Sequence, residues 1–190
     1  MEATFFTEVE LQQMLELARQ SLLSAFEIRA KPLLPEWLEA PGSCFVTLTR
    51  QGRLRGCIGT LEPCRSLGRD LIENARNAAF SDPRFAPLER DELAELEIEV
   101  SVLTPFQSLD VATEAELLAE LKPGVDGVIV EEKGRRATFL PTVWQQLSDP
   151  REFIAALRDK AGLSPYEWSD QVRWSRYETQ HVKGKLLRNE

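Results

Sequence analysis

Apolar residues along the chain fall into helical and extended patterns. Leu11, Leu15, Ala18, Leu22 and Ala25 share one helical stripe, and Thr7 with Glu10 has the spacing of a reciprocal capping box. Together they predict a helix from about Thr7 to Phe26. Leu67, Leu71, Ala75 and Ala78 predict a second over 66–80, which Pro83 and Pro87 of SDPRFAP terminate. Between the two, Pro32, Pro35 and Pro41 remove backbone donors and favour extended neighbours, so 31–42 reads as a connecting loop with Trp37 and Leu38 turned inward. In LEIEVSVL, Leu96, Ile98, Val100 and Val102 alternate with Glu97, Glu99 and Ser101, the pattern of a half-buried strand. Asp149, Pro150 and Glu152 supply a cap, a first-turn proline and an N3 acid for a helix running to Ala161 and closed by Gly162, with Phe153, Ile154 and Leu157 on its buried edge.

Two hairpins are expected. CFVTLTRQGRLRGCIGTL has β-rich runs around Gln51 and Gly52. Pairing Arg50 with Arg53 would set Thr49 against Leu54, Leu48 against Arg55, Val46 against Cys57 and Phe45 against Ile58, so that Arg53, Arg55 and Cys57 look the same way. Like charges in one row need an acid or an anion, and Glu97 and Glu99 are the natural partners if the strands share a sheet face. From Gly127 to Leu140 a second hairpin turns at Lys133 and Gly134, with Glu131 meeting Arg136 and Glu132 meeting Arg135. Val172 to Tyr177 suits a returning strand, and the polar tail beyond about 180 is expected to be loose. Hairpins with helices between and after them describe an α+β fold, a largely antiparallel sheet flanked by helices.

Composition narrows the functional classes. A chain of 190 residues with 43% hydrophobic and 28% charged residues suits one soluble domain, or one with a small lobe. The net charge of −8 repels phosphate backbones and ranks nucleic-acid binding last. Apolar runs of about four residues are far below the ~20 that cross a bilayer. An odd count of three cysteines, with no basic N-terminus leading into an apolar run, points to reduced thiols and a cytoplasmic location.

The chemistry concentrates at RLRGCIGT. Cys57 beside Arg55 is a candidate nucleophile, because a guanidinium favours a thiolate, and Gly56 and Gly59 would let a ligand approach the backbone. A buried filler cysteine, with glycines that relieve crowding or form a bulge, fits the same residues. The one histidine, His181, lies in the polar tail and makes a poor base. Cys44, Cys57 and Cys64 lack the close pairs of zinc sites, so no metal site is expected. Arg53, Arg55 and Arg84 fit either salt bridges or an anion site. Asp82 reads as a turn cap or a site residue, and Phe85 as core or site.

LRGCIGT, AAFSDPRFAP, LEIEVSVLTP, GVDGVIVE, FLPTVW and DKAGL, in that order, resemble the AMMECR domain family, whose prokaryotic members are called AmmeMemoRadiSam system protein A. The resemblance runs from about Phe5 to Tyr177 and treats the chain as a single AMMECR domain. It implies an α+β fold with a main antiparallel sheet, a smaller subdomain and a cleft between them, near RGCIG. Its motifs map onto Leu54, Arg55, Gly56, Cys57, Ile58 and Gly59, then Asp82, Pro83, Arg84 and Phe85, then Glu99 and Ser101. It also implies a pathway shared with a Memo-like protein and a radical SAM protein, and it names no cofactor and no reaction. Two functions stay open. One is a binding or accessory module holding a small anionic molecule or an acidic partner segment through Arg55, Arg84 and backbone amides. The other is a thiol-dependent enzyme with Cys57 as nucleophile and Glu99 as acid or base.

Overall fold

In the computed structural model, which describes residues 6–187, the first helix begins at its capping box. Helix α1 spans Glu8–Ala25, with the Thr7 hydroxyl accepting the Glu10 N–H and the Glu10 carboxylate accepting the Thr7 N–H. The second helix, α2, spans Leu67–Phe80. In the connecting loop Leu38 is buried, while Trp37 stays 36% exposed, so only one of the two expected residues turns in.

Two compact units divide the chain, Thr104–Thr179 and the sequence on either side of it. In the flanking unit, strands β1 (Cys44–Arg50), β2 (Arg53–Gly59), β3 (Leu96–Leu103) and β8 (Thr179–Lys185) form a sheet in the order β2-β1-β3-β8. Strand β1 is antiparallel to both neighbours. Val46, Leu48, Ile98 and Val100 bury one face of this sheet with Leu15, Leu22, Leu71 and Ala78 of the two helices. The β1–β2 turn has positive φ at Gln51 (51°) and Gly52 (75°), the signature of a type I′ hairpin.

Two expectations fail in this unit. The hairpin starts in the expected register, with Arg50 opposite Arg53 and Thr49 opposite Leu54, but Leu48 then faces Gly56, so Arg55 is an extra residue in a β-bulge. The slip puts Thr47 opposite Cys57 and Val46 opposite Ile58. The tail beyond 180 is not loose. It forms β8, whose Val182 is buried in the core, and just past it Leu186 is buried and donates its N–H to Leu96 O at 2.8 Å.

The other unit has its own sheet, β4-β7-β5-β6, from β4 (Gln107–Leu109), β5 (Gly127–Glu132), β6 (Arg135–Phe139) and β7 (Arg173–Tyr177). Its β5–β6 hairpin keeps the expected register, Glu131 with Arg136 and Glu132 with Arg135, around a second turn with positive φ at Lys133 and Gly134. Helix α3 spans Glu114–Glu120, and α4 spans Pro150–Lys160 behind its Asp149 cap. Phe153 of α4 stacks on Trp144 at 3.7 Å in a core that also holds Val128, Val130, Leu157 and Trp174. The α+β class holds, with two four-stranded antiparallel sheets.

Candidate functional site around Cys57

Because side chains alternate along a strand, the bulge decides what shares a face with the thiol. Val46 and Leu48 point to the helices, so Gly56 and Ile58 opposite them do too, and Cys57 joins Thr47 on the other face. Thr47 in turn lies opposite Glu99, which gives a row Cys57–Thr47–Glu99 across three strands. The Thr47 hydroxyl donates to Cys57 Sγ at 3.3 Å, and the Ser101 hydroxyl reaches Glu99 Oε1 at 3.5 Å. All four residues are half-buried. Cys57 and Glu99 stand two strand spacings apart, ~10 Å, too far for direct proton transfer but a span that a small molecule can bridge.

Strand β2 is the sheet edge, and an edge strand leaves backbone groups unpaired. At Cys57 the SDPRF loop supplies both partners. Asp82 Oδ2 accepts the Cys57 N–H at 2.8 Å, and Arg84 Nη2 donates to Cys57 O at 3.2 Å. The two side chains are themselves locked, with Arg84 Nε on Asp82 Oδ1 at 2.9 Å and Nη2 on Oδ2 at 2.7 Å. The Arg84 hydrogen bonds hold the buried Asp82 carboxyl well below the usual carboxylate range. Half-buried Phe85 lies under both guanidinium groups, 5.5 Å from Arg84 and 5.9 Å from Arg55. Asp82 and Arg84 thus clamp the main chain that carries the thiol.

The expected arginine row does not form. Arg55 makes a bidentate pair with Glu92, Nε to Oε1 at 2.7 Å and Nη2 to Oε2 at 2.9 Å, while Arg50 pairs with Glu95. The Arg55 hydrogen bonds push Glu92 down to about 2. The partners are therefore Glu92 and Glu95, on the 3₁₀ turn Arg90–Glu95, rather than Glu97 and Glu99. Both glycines of the motif answer to packing. A Cβ on Gly56 would stand 2.0 Å from Ala78 O of α2, and one on Gly59 would stand 2.2 Å from the Phe45 ring lying over it.

A second polar cluster escaped the sequence reading. Asp70 of α2 is wholly buried and accepts the Cys44 N–H (2.9 Å), the Cys44 thiol (3.3 Å), the Thr60 hydroxyl (2.7 Å), Arg65 Nε (2.8 Å) and Asn74 Nδ2 (3.0 Å). Burial first, and Asp70's charge second, push the Cys44 thiol well above its usual range, so it stays a protonated donor. The available signal was Asp70 and Asn74, polar residues one helical turn apart beside an apolar stripe. This network ties α2 to the start of β1 and faces the core.

No helix among the described residues is long and apolar enough to cross a membrane. The architecture is that of an α+β protein built on two antiparallel four-stranded sheets, with a clamped edge-strand cysteine in one of them. The AMMECR1 family model matches residues 15–182, and the chain belongs to that family. A protein of Methanothermobacter thermautotrophicus is 39% identical over 163 residues, covering 85% of each chain. Protein MJ0810 of Methanocaldococcus jannaschii is 39% identical over 150 residues, 77% of this chain and 75% of that one. The crystal structure of the uncharacterized protein PH0010 from Pyrococcus horikoshii superposes with a TM-score of 0.82 at 30% identity, over 94% of this chain and 93% of that one.

Proposed function

We propose that this AMMECR1-family protein is a cytoplasmic binding or accessory module, whose site is the Cys57–Thr47–Glu99 row with Ser101 beside it. One observation carries the reading: Cys57 is fixed at both its N–H and its C=O by the Asp82–Arg84 clamp while its sulfur stays half-buried on the face away from the helices. The ligand is a small molecule or a short partner segment. Arg55 is paired with Glu92 and Arg84 with Asp82, and of the two Arg84 is the more open, 54% against 15% exposed, so its free edge is the contact for an anionic group. The pathway shared with Memo-like and radical SAM proteins, implied by the motif resemblance, supplies the setting.

A second reading, a thiol-dependent enzyme, draws on the Thr47 hydroxyl donated to Cys57 Sγ and on Glu99 in the same row. In it the Cys57 sulfur adds to an electrophilic carbon of a ligand lying over Thr47, the thiol proton passes to solvent, and Glu99 relays a proton from solvent to the ligand atom that takes up the electron pair of the opened double bond.

Iodoacetamide labelling near neutral pH, mapped by mass spectrometry, tests the site. Exposed Cys64 and half-buried Cys57 are expected to react and buried Cys44 to remain untouched. Cys57→Ser and Glu99→Gln proteins should fold normally yet fail to complement a strain lacking the gene. Full complementation by both would remove the site, and complementation by Cys57→Ser alone would remove the enzyme reading.

A further inference from the structure

We infer that the cavity beside the β5–β6 hairpin binds a small zwitterion, a molecule carrying a carboxylate and an ammonium group. The cavity measures about 400 Å³, within the range of small-ligand sites, and its walls include Glu132, Arg158, Leu163, Trp168 and Ser169. It belongs to the Thr104–Thr179 unit and uses none of the residues around Cys57.

The argument rests on two charges that share this space without pairing. Arg158 of α4 is only 4% exposed, and its hydrogen bonds go to neutral carbonyls, Nε to Ser164 O at 2.7 Å and Nη2 to Glu167 O. Among the described residues no carboxylate comes within ion-pair distance of it, and Nη1 has no hydrogen-bond partner. Glu132, at the end of β5, is 9% exposed and accepts only the Ser169 hydroxyl, at 2.6 Å. Its cross-strand neighbour Arg135, exposed at the edge of the same cavity, gives Nη1 to Gly162 O at 2.5 Å and makes no ion pair with Glu132.

A buried charge without a counter-ion is unfavourable, and two opposite ones on one cavity wall fit a ligand that brings both complements. The ligand's carboxylate takes the fork of Arg158 and its ammonium takes Glu132. Leu163 and the Trp168 indole, stacked on Trp174 at 6.2 Å, offer an apolar wall to a hydrocarbon side chain. At the rim the exposed Lys133, Arg135 and Glu167 also line the cavity, so its outer edge carries one net positive charge while the two buried groups, Arg158 and Glu132, balance each other within.

Isothermal titration of the full chain with three molecules of one shape tests this: L-leucine, 4-methylpentanoate, which lacks the ammonium, and 3-methylbutylamine, which lacks the carboxylate. L-Leucine should bind, and each truncated analogue should bind about 10- to 100-fold more weakly, the loss expected for one charge-assisted contact. Glu132→Gln should remove the advantage of L-leucine over 4-methylpentanoate while leaving the latter's binding intact. Arg158 also ties down the 164–167 loop, so the comparison of ligands on the unaltered chain decides the question independently of any variant. Equal binding of all three, or no heat from L-leucine at millimolar concentration, would overturn the proposal.

Discussion

Replacing Asp82 by alanine tests the clamp on Cys57 most directly. The carboxylate is 4% exposed and accepts the Cys57 N–H at 2.8 Å, the Arg84 N–H at 3.1 Å and both Nε and Nη2 of Arg84. A charge-assisted bond from a backbone N–H is worth about 1.5–3 kcal/mol, and the longer one to the Arg84 N–H is taken as about 1 kcal/mol. The ion pair itself adds no more than about 1 kcal/mol, because Arg84 is 54% exposed and solvent screens it. The sum, about 2.5–5 kcal/mol, corresponds to a melting temperature lowered by roughly 5–20 °C in a chain of this size. Circular dichroism melts give that shift, and amide hydrogen exchange localises it, since the Cys57 N–H should lose protection beyond the average of β2. Asp82→Asn retains an acceptor without the charge and should fall between. A melting temperature within about 2 °C of the parent, with unchanged exchange at Cys57, would refute the clamp.

Gly56→Ala should destabilise the protein by about 3 kcal/mol or more, because its Cβ would stand 2.0 Å from the main-chain oxygen of Ala78 and α2 would have to move. Gly59→Ala should cost less, since the Phe45 ring can turn aside. Urea midpoints of the two variants check the order, and equal values would contradict it. Glu92 has a folded pKa of about 2 against a usual 4.5, so its contribution is complete above about 4.5 and is lost as pH falls from there toward 2. Urea unfolding between neutral pH and about 3 should show Glu92→Gln losing about 1–2 kcal/mol less than the parent, a figure reduced for solvent screening.

What the sequence disclosed follows the range of the interactions involved. The α1 capping box, both hairpin turns and the charge-matched β5–β6 register involve residues close together in the chain, and all four formed as read. A bulge or relief of crowding was one reading of Gly56 and Gly59, but the extra residue at Arg55 and the slipped register did not show, because their cause lies across the fold: Gly56 is the residue that admits the α2 backbone. Strand β8 was hidden by its composition. Val182, Gly184 and Leu186 alternate with His181, Lys183 and Lys185, but a glycine and three polar or basic residues mask a period of two. At the candidate site the motif pointed to Cys57, Asp82, Arg84 and Glu99, whereas Thr47 became visible only once the slipped register set it beside the sulfur. The acids that neutralise Arg50 and Arg55 were equally out of reach, since they lie about 40 residues further along the chain.

The position of β8 bears on how the molecule is made. All its residues but the first follow the Thr104–Thr179 unit in the chain, so a ribosome delivers a finished insertion while its host still lacks a fourth strand. Until then β3 presents a bare border, and nascent or prematurely terminated chains would be open there to pairing with one another.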